Sequence, residues 1–323
     1  MFGYRTIGFG GKASRGGGCS GAGDRGLITA GETSRVIDYI TISTTGDAMD
    51  FGDLLMWQQQ GGVCNGGSGD RGLFSGGRAA WPAEQNEIIS YVTVSTLSDA
   101  VDTGDLTEER RFMAGVSNGS DDRGVYMGGY NTAGSPTARD IMDYVTISTA
   151  GDAIDFGDLL VGTRHPEGVS NASDRGVACT GRTANVLMVD TLQYITISST
   201  GDATDFGDAT QAGLMGAGCS NDTGDRGIYG GGYDFSNDAT TDFIDYITIS
   251  TTGAGTEFGD LTSARHQLSS CSNGEADRGT FAGGTATNII DYVTISSAGD
   301  ATDFGDLQGS YTCEDAALSN GQT

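Results

Sequence analysis

The sequence predicts an all-β chain, a β-propeller of six four-stranded blades. Three observations predict it: a six-fold internal repeat, four strand-like segments in each copy, and no sustained helical periodicity. Asp-Arg-Gly occurs six times, with its arginine at Arg25, Arg71, Arg123, Arg175, Arg226 and Arg278, at spacings of 46, 52, 52, 51 and 52. A Tyr-Ile/Val-Thr-Ile/Val-Ser core also recurs, with its tyrosine at Tyr39, Tyr91, Tyr144, Tyr194, Tyr246 and Tyr292. Gly-Asp closes each copy at Asp53, Asp105, Asp158, Asp208, Asp260 and Asp306. A unit of about 50 residues that cannot bury its own apolar face must stack on its neighbours, and four strands per unit make that stack radial.

Within a unit, the first strand ends at a turn such as Cys271 to Gly274. The second is exemplified by Arg123 to Gly129. The third, Ile37 to Ser43, is rich in β-branched and aromatic residues. The fourth runs through Ala203 to Ala209, and again through Ala301 to Leu307. Ser-Asn-Gly before the second strand and Thr-Gly-Asp before the fourth are turn signals. The units fall at about 12–60, 61–112, 113–164, 165–214, 215–267 and 268–308, in one domain spanning 1–323. Residues 1–11 resemble a second strand and 313–321 a first strand ending Leu-Ser-Asn-Gly. They are expected to latch a six-bladed ring, to pair as a partial seventh blade, or to contact a neighbouring subunit.

The second strand ends in diglycine at Gly76–Gly77, Gly128–Gly129, Gly231–Gly232 and Gly283–Gly284, and a loop then leads to the third-strand tyrosine. This arrangement resembles the kelch repeat of galactose-oxidase-like propellers, over nearly the whole chain. Two units depart from it, with Ala30–Gly31 and Thr180–Gly181 in place of diglycine. The usual kelch tryptophan is replaced by Phe51, Phe156, Phe206, Phe258 and Phe304, and by Thr103 in the second unit. The phrase Asp-Tyr-Ile-Thr-Ile-Ser followed by Gly-Asp-Ala-Thr-Asp-Phe-Gly-Asp-Leu is similar to kelch-type repeats in virion and tail-associated proteins of aquatic bacteriophages. That resemblance implies a structural or host-attachment protein, non-catalytic, present in several copies in a virion and made in the host cytoplasm.

Composition narrows the function further. The chain of 323 residues carries 43 Asp and Glu against 17 Lys and Arg, a formal charge of −26, and Lys12 is the single lysine. A binder of nucleic acid needs a basic footprint, so that class is excluded. No stretch of 18 apolar residues and no signal-peptide pattern occurs, so neither membrane insertion nor export is expected. The six cysteines read as buried thiols: Cys64, Cys219 and Cys271 each precede Asp-Arg-Gly by six residues, Cys19 does so by five, and Val116 holds the same place in unit three. A slot that accepts Cys or Val is small and apolar. Gly21 to Gly26 spells a dinucleotide fingerprint and Gly115 to Gly119 a nucleophile elbow, but neither has the strand–turn–helix context its chemistry needs. His165 and His266 each follow an arginine, in matching registers two units apart, which makes a shared metal a poor fit.

An aspartate ladder recurs as Asp47, Asp50, Asp53; Asp99, Asp102, Asp105; Asp152, Asp155, Asp158; Asp202, Asp205, Asp208; and Asp300, Asp303, Asp306, with Glu257 and Asp260 in unit five. Oxygen-rich loops suit calcium or magnesium. The competing reading, which we adopt, is turn chemistry on a solvated outer strand, with some of these aspartates pairing the repeat arginines, and no cofactor is expected.

Antiparallel strands place the 1–2 and 3–4 connections on one face of the disc and the 2–3 and 4–1 connections on the other. The first face carries near-constant turns. The second varies, and it gathers Trp57, Arg78, Trp81, Arg110, Tyr130, Arg164, His165, Tyr233, Phe235, Arg265 and His266. Aromatic and arginine enrichment marks recognition surfaces. The expected function is binding of another virion protein or a cell-surface glycan through this face. A kelch-type oxidase or glycan-processing enzyme, or an intracellular adaptor, is the alternative.

Overall fold

A computed structural model describes residues 24–30, 34–56, 61–64, 70–78, 85–133, 136–149, 151–171, 174–185, 187–235, 237–285, 287–311, 313 and 317–319. Six four-stranded antiparallel sheets form the blades of a β-propeller. From the axis outward, blade two is Gly61–Cys64, Arg71–Ser75, Ile88–Thr93 and Val101–Asp105. Blade three is Ala114–Ser117, Arg123–Met127, Ile141–Thr146 and Ile154–Asp158. Blades four, five and six repeat this order from Glu167–Ser170, Ala217–Ser220 and Ser269–Ser272. Among the described residues the helices are three single 3-10 turns, and none is long and apolar enough to cross a membrane.

The ring closes through the C-terminal tail. Ala317–Ser319 pairs antiparallel with Arg25–Thr29 and supplies the innermost strand of blade one, which continues through Val36–Thr41 and Met49–Asp53. Of the three roles open to this tail, the structure shows the latch. Residues 1–23, where the sequence reading placed the first strand of unit one, lie outside the described residues.

Each residue of Asp-Arg-Gly has its own task. The aspartate adopts left-handed backbone, with φ of 66° at Asp122, 61° at Asp225 and 68° at Asp277, a conformation Asp tolerates better than most residues. Its carboxylate accepts the N–H and hydroxyl of the serine ending the third strand, as Asp24 does from Ser43 at 2.7 and 2.6 Å. The arginine lies over the third-strand tyrosine of its own blade, 4.2 Å from the ring centroid for Arg175–Tyr194. It also donates to a carbonyl of the next blade: Arg123 to Ser198 O at 2.9 Å, and Arg278 to Ile42 O at 3.1 Å across the ring closure. The expected pairing of this arginine with the aspartate ladder is corrected accordingly; for Arg123, Arg175, Arg226 and Arg278 the partners are a ring and a neighbouring backbone. The glycine leaves room for the preceding blade: a Cβ at Gly176 would stand 2.7 Å from Val116, and one at Gly279 would stand 2.8 Å from Cys219 Sγ.

The cysteine slot is therefore the space opposite that glycine. Val63, Val116, Val169, Cys219 and Cys271 fill it. Cys64 belongs instead to the register of Ser117, because the turn that follows it is one residue longer. Cys179, Cys219, Cys271 and Cys313 are buried thiols, and burial pushes the Cys179 and Cys219 thiols up, away from thiolate chemistry. Six apolar clusters make the core, each lying between two successive blades; Val116, Met127, Met142 and Phe156 of blade three, for example, pack on Ala178, Ile195 and Ile197 of blade four. The fourth-strand phenylalanine is buried edge-on against the blade tyrosine, at 6.1 to 6.5 Å between centroids. Where blade two has Thr103 instead, Arg71 closes to 3.7 Å over Tyr91 and donates to the threonine at 3.2 Å.

Polar groups join the same interfaces. Serines at the ends of inner strands donate to the carbonyl one blade back: Ser170 to Ser117 O at 2.8 Å, Ser220 to Ser170 O at 2.7 Å and Ser272 to Ser220 O at 2.7 Å. The first aspartate of each ladder accepts the N–H of the last ladder residue of the preceding blade, from Asp53 to Asp99 at 3.0 Å round to Asp306 and Asp47 at 3.2 Å. The ladder thus stitches outer strands together, and among the described residues no three of His, Cys, Asp or Glu form a metal-binding group.

Candidate binding site

The 4–1 linker entering a blade and the 2–3 loop of that blade lie side by side where the inner strands begin. Backbone hydrogen bonds join them in equivalent registers: Arg111 with Tyr130, Arg164 with Arg182, Leu214 with Tyr233, and His266 with Thr285. The next residue of each linker takes left-handed backbone although none is glycine: Phe112 at 60°, His165 at 55°, Met215 at 62° and Gln267 at 64°. Bulky residues rarely adopt this conformation, and each costs about 1–3 kcal/mol. The repetition of that strain in four consecutive linkers places the linker side chains around the mouth of the ring.

Those side chains form a basic and aromatic arc. Arg164 and Arg111 both lie over the Tyr130 ring, at 4.8 and 5.3 Å from its centroid. Arg111 also stacks on Phe112 at 4.8 Å, and Phe112 stacks on His165 at 3.7 Å between ring centroids. Arg182 lies 4.3 Å over Phe235. Phe235 meets Tyr233 edge-on at 4.7 Å, and Tyr233 reaches His266 at 5.1 Å. Burial lowers the basicity of His165, and Arg164, Arg111 and Arg182 lower it further, so the ring is neutral near pH 7. Burial, with His165 nearby, also lowers that of His266. Beneath the arc, the inner strands enclose an axial cavity of about 30 Å³ lined by small residues, among them Ala114, Gly168, Gly216 and Ala217, with buried Glu167 held by the Gly216 N–H at 3.0 Å.

The structure sorts the sequence candidates into four groups. Tyr130, Arg164, His165, Tyr233, Phe235 and His266 belong to the arc. Arg110 and Arg265 do not: both are buried in ion pairs, with Asp143 at 2.6 Å and Asp291 at 2.7 Å, and they serve the interior. Arg78 is half-buried in blade two. Trp57 and Trp81 lie outside the described residues. The two histidines are not in matching registers: His266 aligns with Arg164, and His165 with Gln267. Sequence reading missed Arg111, Phe112 and Arg182. Counting from the end of the fourth strand would have found Arg111, which falls in step with Arg164 and His266, whereas Arg110 falls in step with Arg265.

The buried ion pairs follow from the third strand. Its aspartate is buried in blades three, five, six and one, at Asp143, Asp245, Asp291 and Asp38. Thr107, Thr210 and Thr262 donate to the first three of these carboxylates. Blade four carries neutral Gln193 instead, bonded to Val161 N at 2.9 Å and Val161 O at 3.2 Å, and its linker has Thr163 in the place of Arg110. Blade one keeps the acid without an arginine among the described residues: the Gln308 N–H donates to Asp38 at 3.1 Å, and one carboxylate oxygen has no partner. Burial pushes the Asp38 carboxyl up to about 6, with Asp50 adding to the effect and the Gln308 N–H opposing it.

No family model and no curated protein matches the chain. Among solved structures, one described as "Structure of YjhT" superposes with a TM-score of 0.62 at 13% identity, covering 87% of this chain and 94% of that one. At that identity the likeness shows the fold alone, a β-propeller.

Proposed function

We propose that the chain is a non-catalytic binding propeller of the kelch type, a structural or host-attachment protein of a bacteriophage virion, which engages a cell-surface glycan through the face that carries the arc. The observation that carries the reading is the division of labour between the faces. One is consumed by repeat-borne contacts, in which Asp-Arg-Gly, the third-strand serine and the aspartate ladder bind their neighbours. The other spends strained backbone on presenting arginine and aromatic side chains. Loops on a rigid scaffold are where binding function concentrates. The phage setting comes from the repeat phrase. Immunogold labelling of purified particles and of infected cells tests it: label on particles is expected, and label confined to the cytosol would refute the virion role.

A further inference from the structure

We infer that the arc around Tyr130, Arg164, Arg182 and Phe235 is a binding site for a small anion carried on a ring, a sugar unit bearing a carboxylate or sulfate. The inference rests on the reading of this face as glycan-binding and adds the chemistry of the ligand.

Charge placement is the first argument. The chain has a formal charge of −26 and only 16 arginines. Six are the repeat arginines that join blades, Arg110 and Arg265 are buried in ion pairs, and Arg139 pairs with Glu108 at 2.5 Å. Of the five others among the described residues, Arg35, Arg78, Arg111, Arg164 and Arg182, three converge on one mouth of the ring. Like charges repel, and Arg164 indeed lowers the basicity of Arg182, although burial does so more. Among the described residues no carboxylate lies within ion-pair distance of Arg164 or Arg182, and Arg182 Nε is buried without a hydrogen-bond partner. In so acidic a protein, the two guanidinium groups of Arg164 and Arg182, which no carboxylate of the described residues neutralises, make a site for an outside anion.

Geometry is the second argument. Arg164 and Arg182 face each other across one antiparallel bridge, and directly opposed residues of such a pair hold their Cβ atoms about 5 Å apart. The two side chains thus start from one point of the rim and lean to rings on either side of it, Arg164 to Tyr130 and Arg182 to Phe235, so that a carboxylate or sulfate seated between them is flanked by both. The axial cavity of about 30 Å³ below them has room for a water or two, so the ligand stays at the mouth. There, exposed Phe235 and half-buried Tyr233 offer apolar area to a sugar ring. An acidic peptide is the other class of ligand with this charge. It calls for cations spread along its length, whereas Arg164 and Arg182 share one bridge.

The test is titration calorimetry of the whole chain with glucuronic acid, glucose 6-sulfate, glucose and an oligo-glutamate peptide. Binding of either acidic sugar, with none to glucose, is expected; the two acidic arms separate carboxylate from sulfate. Arg164→Ala and Arg182→Ala should each weaken that binding about 10-fold to 100-fold, as loss of a charge-assisted hydrogen bond does, with an unchanged melting temperature. Raising salt to about 0.5 M should weaken it in the parent protein. Equal affinity for glucose, binding of the peptide alone, or acidic-sugar affinity untouched by both substitutions would overturn the inference. Attachment of the same variants to host cells is read in parallel: attachment lost without any affinity for the acidic sugars refutes the ligand class and spares the binding face, and acidic-sugar binding with attachment intact does the reverse.

Discussion

Replacing Arg110 with threonine tests the account of the blade interior, because the protein itself holds the control. In blade three the guanidinium is completely buried and bonds Asp143 at 2.6 Å and Ile141 O at 2.8 Å. Arg110→Thr leaves a buried carboxylate with Thr107 as its remaining partner. Removal of one member of a buried pair costs about 3–5 kcal/mol, mostly the cost of the stranded charge. For a chain this long, that is a fall of about 4–8 °C in melting temperature. Blade four reaches the same packing with Thr163 and Gln193 and no charge. Arg110→Thr combined with Asp143→Gln should therefore recover at least half the loss, since a buried ion pair exchanged for neutral groups is often close to neutral in stability. Calorimetric melts of the parent, both single variants and the double variant complete the cycle. An Arg110→Thr variant within about 1 kcal/mol of the parent, or a double variant no better than Arg110→Thr, would refute the reasoning.

Other outcomes follow from the same contacts. Asp38 holds its proton more tightly folded than unfolded, so its contribution to stability is full below pH 3.8 and is lost as pH rises through about 6. Asp38→Asn should raise the melting temperature above pH 6, by up to about 3 kcal/mol of stability, and leave it unchanged at about pH 3.5, below both pKa values; an equal effect at both pH values would contradict this. Gly157→Ala places a Cβ 2.5 Å from the Gly201 carbonyl oxygen of the next blade, and should destabilise the fold by about 3 kcal/mol or more, as urea titration would register. Deletion of 309–323 removes the inner strand of blade one and uncovers the edge of Arg25–Thr29; an unchanged melting curve would show that closure does not run through this tail.

The fold was legible in the sequence because a repeat multiplies each weak signal by six. Tyr39 and its five counterparts fixed the third strand, and the Gly-Asp pairs fixed the fourth. The origin of the closing strand was ambiguous, since Leu318 to Gly321 and the segment around Cys19 both look like first strands, and only pairing with Arg25–Thr29 decides between them. The arc was half legible. Arg164 and Tyr130 announce themselves by type and by lying in variable loops. Arg110 and Arg111 are adjacent and chemically identical, and one turn of backbone sends the first into the core and the second to the mouth. Arg182 escaped notice because its partner is Phe235, 53 positions away and in the next blade. The buried role of Arg265 depends on Asp291, and a single unit read alone does not reveal that dependence.

The central claim is that one face of this ring is structural and the other recognises a ligand. Attachment to host cells measures it most directly, comparing the double variant Arg164→Ala, Arg182→Ala with Thr149→Ala in a solvent-exposed turn of the opposite face. Both proteins should melt within about 2 °C of the parent, a bound set by surface substitutions that each cost under about 0.5 kcal/mol. The account predicts that the double variant loses attachment at least about 10-fold while Thr149→Ala retains it. Attachment undiminished in the double variant, or lost equally in both, would contradict it.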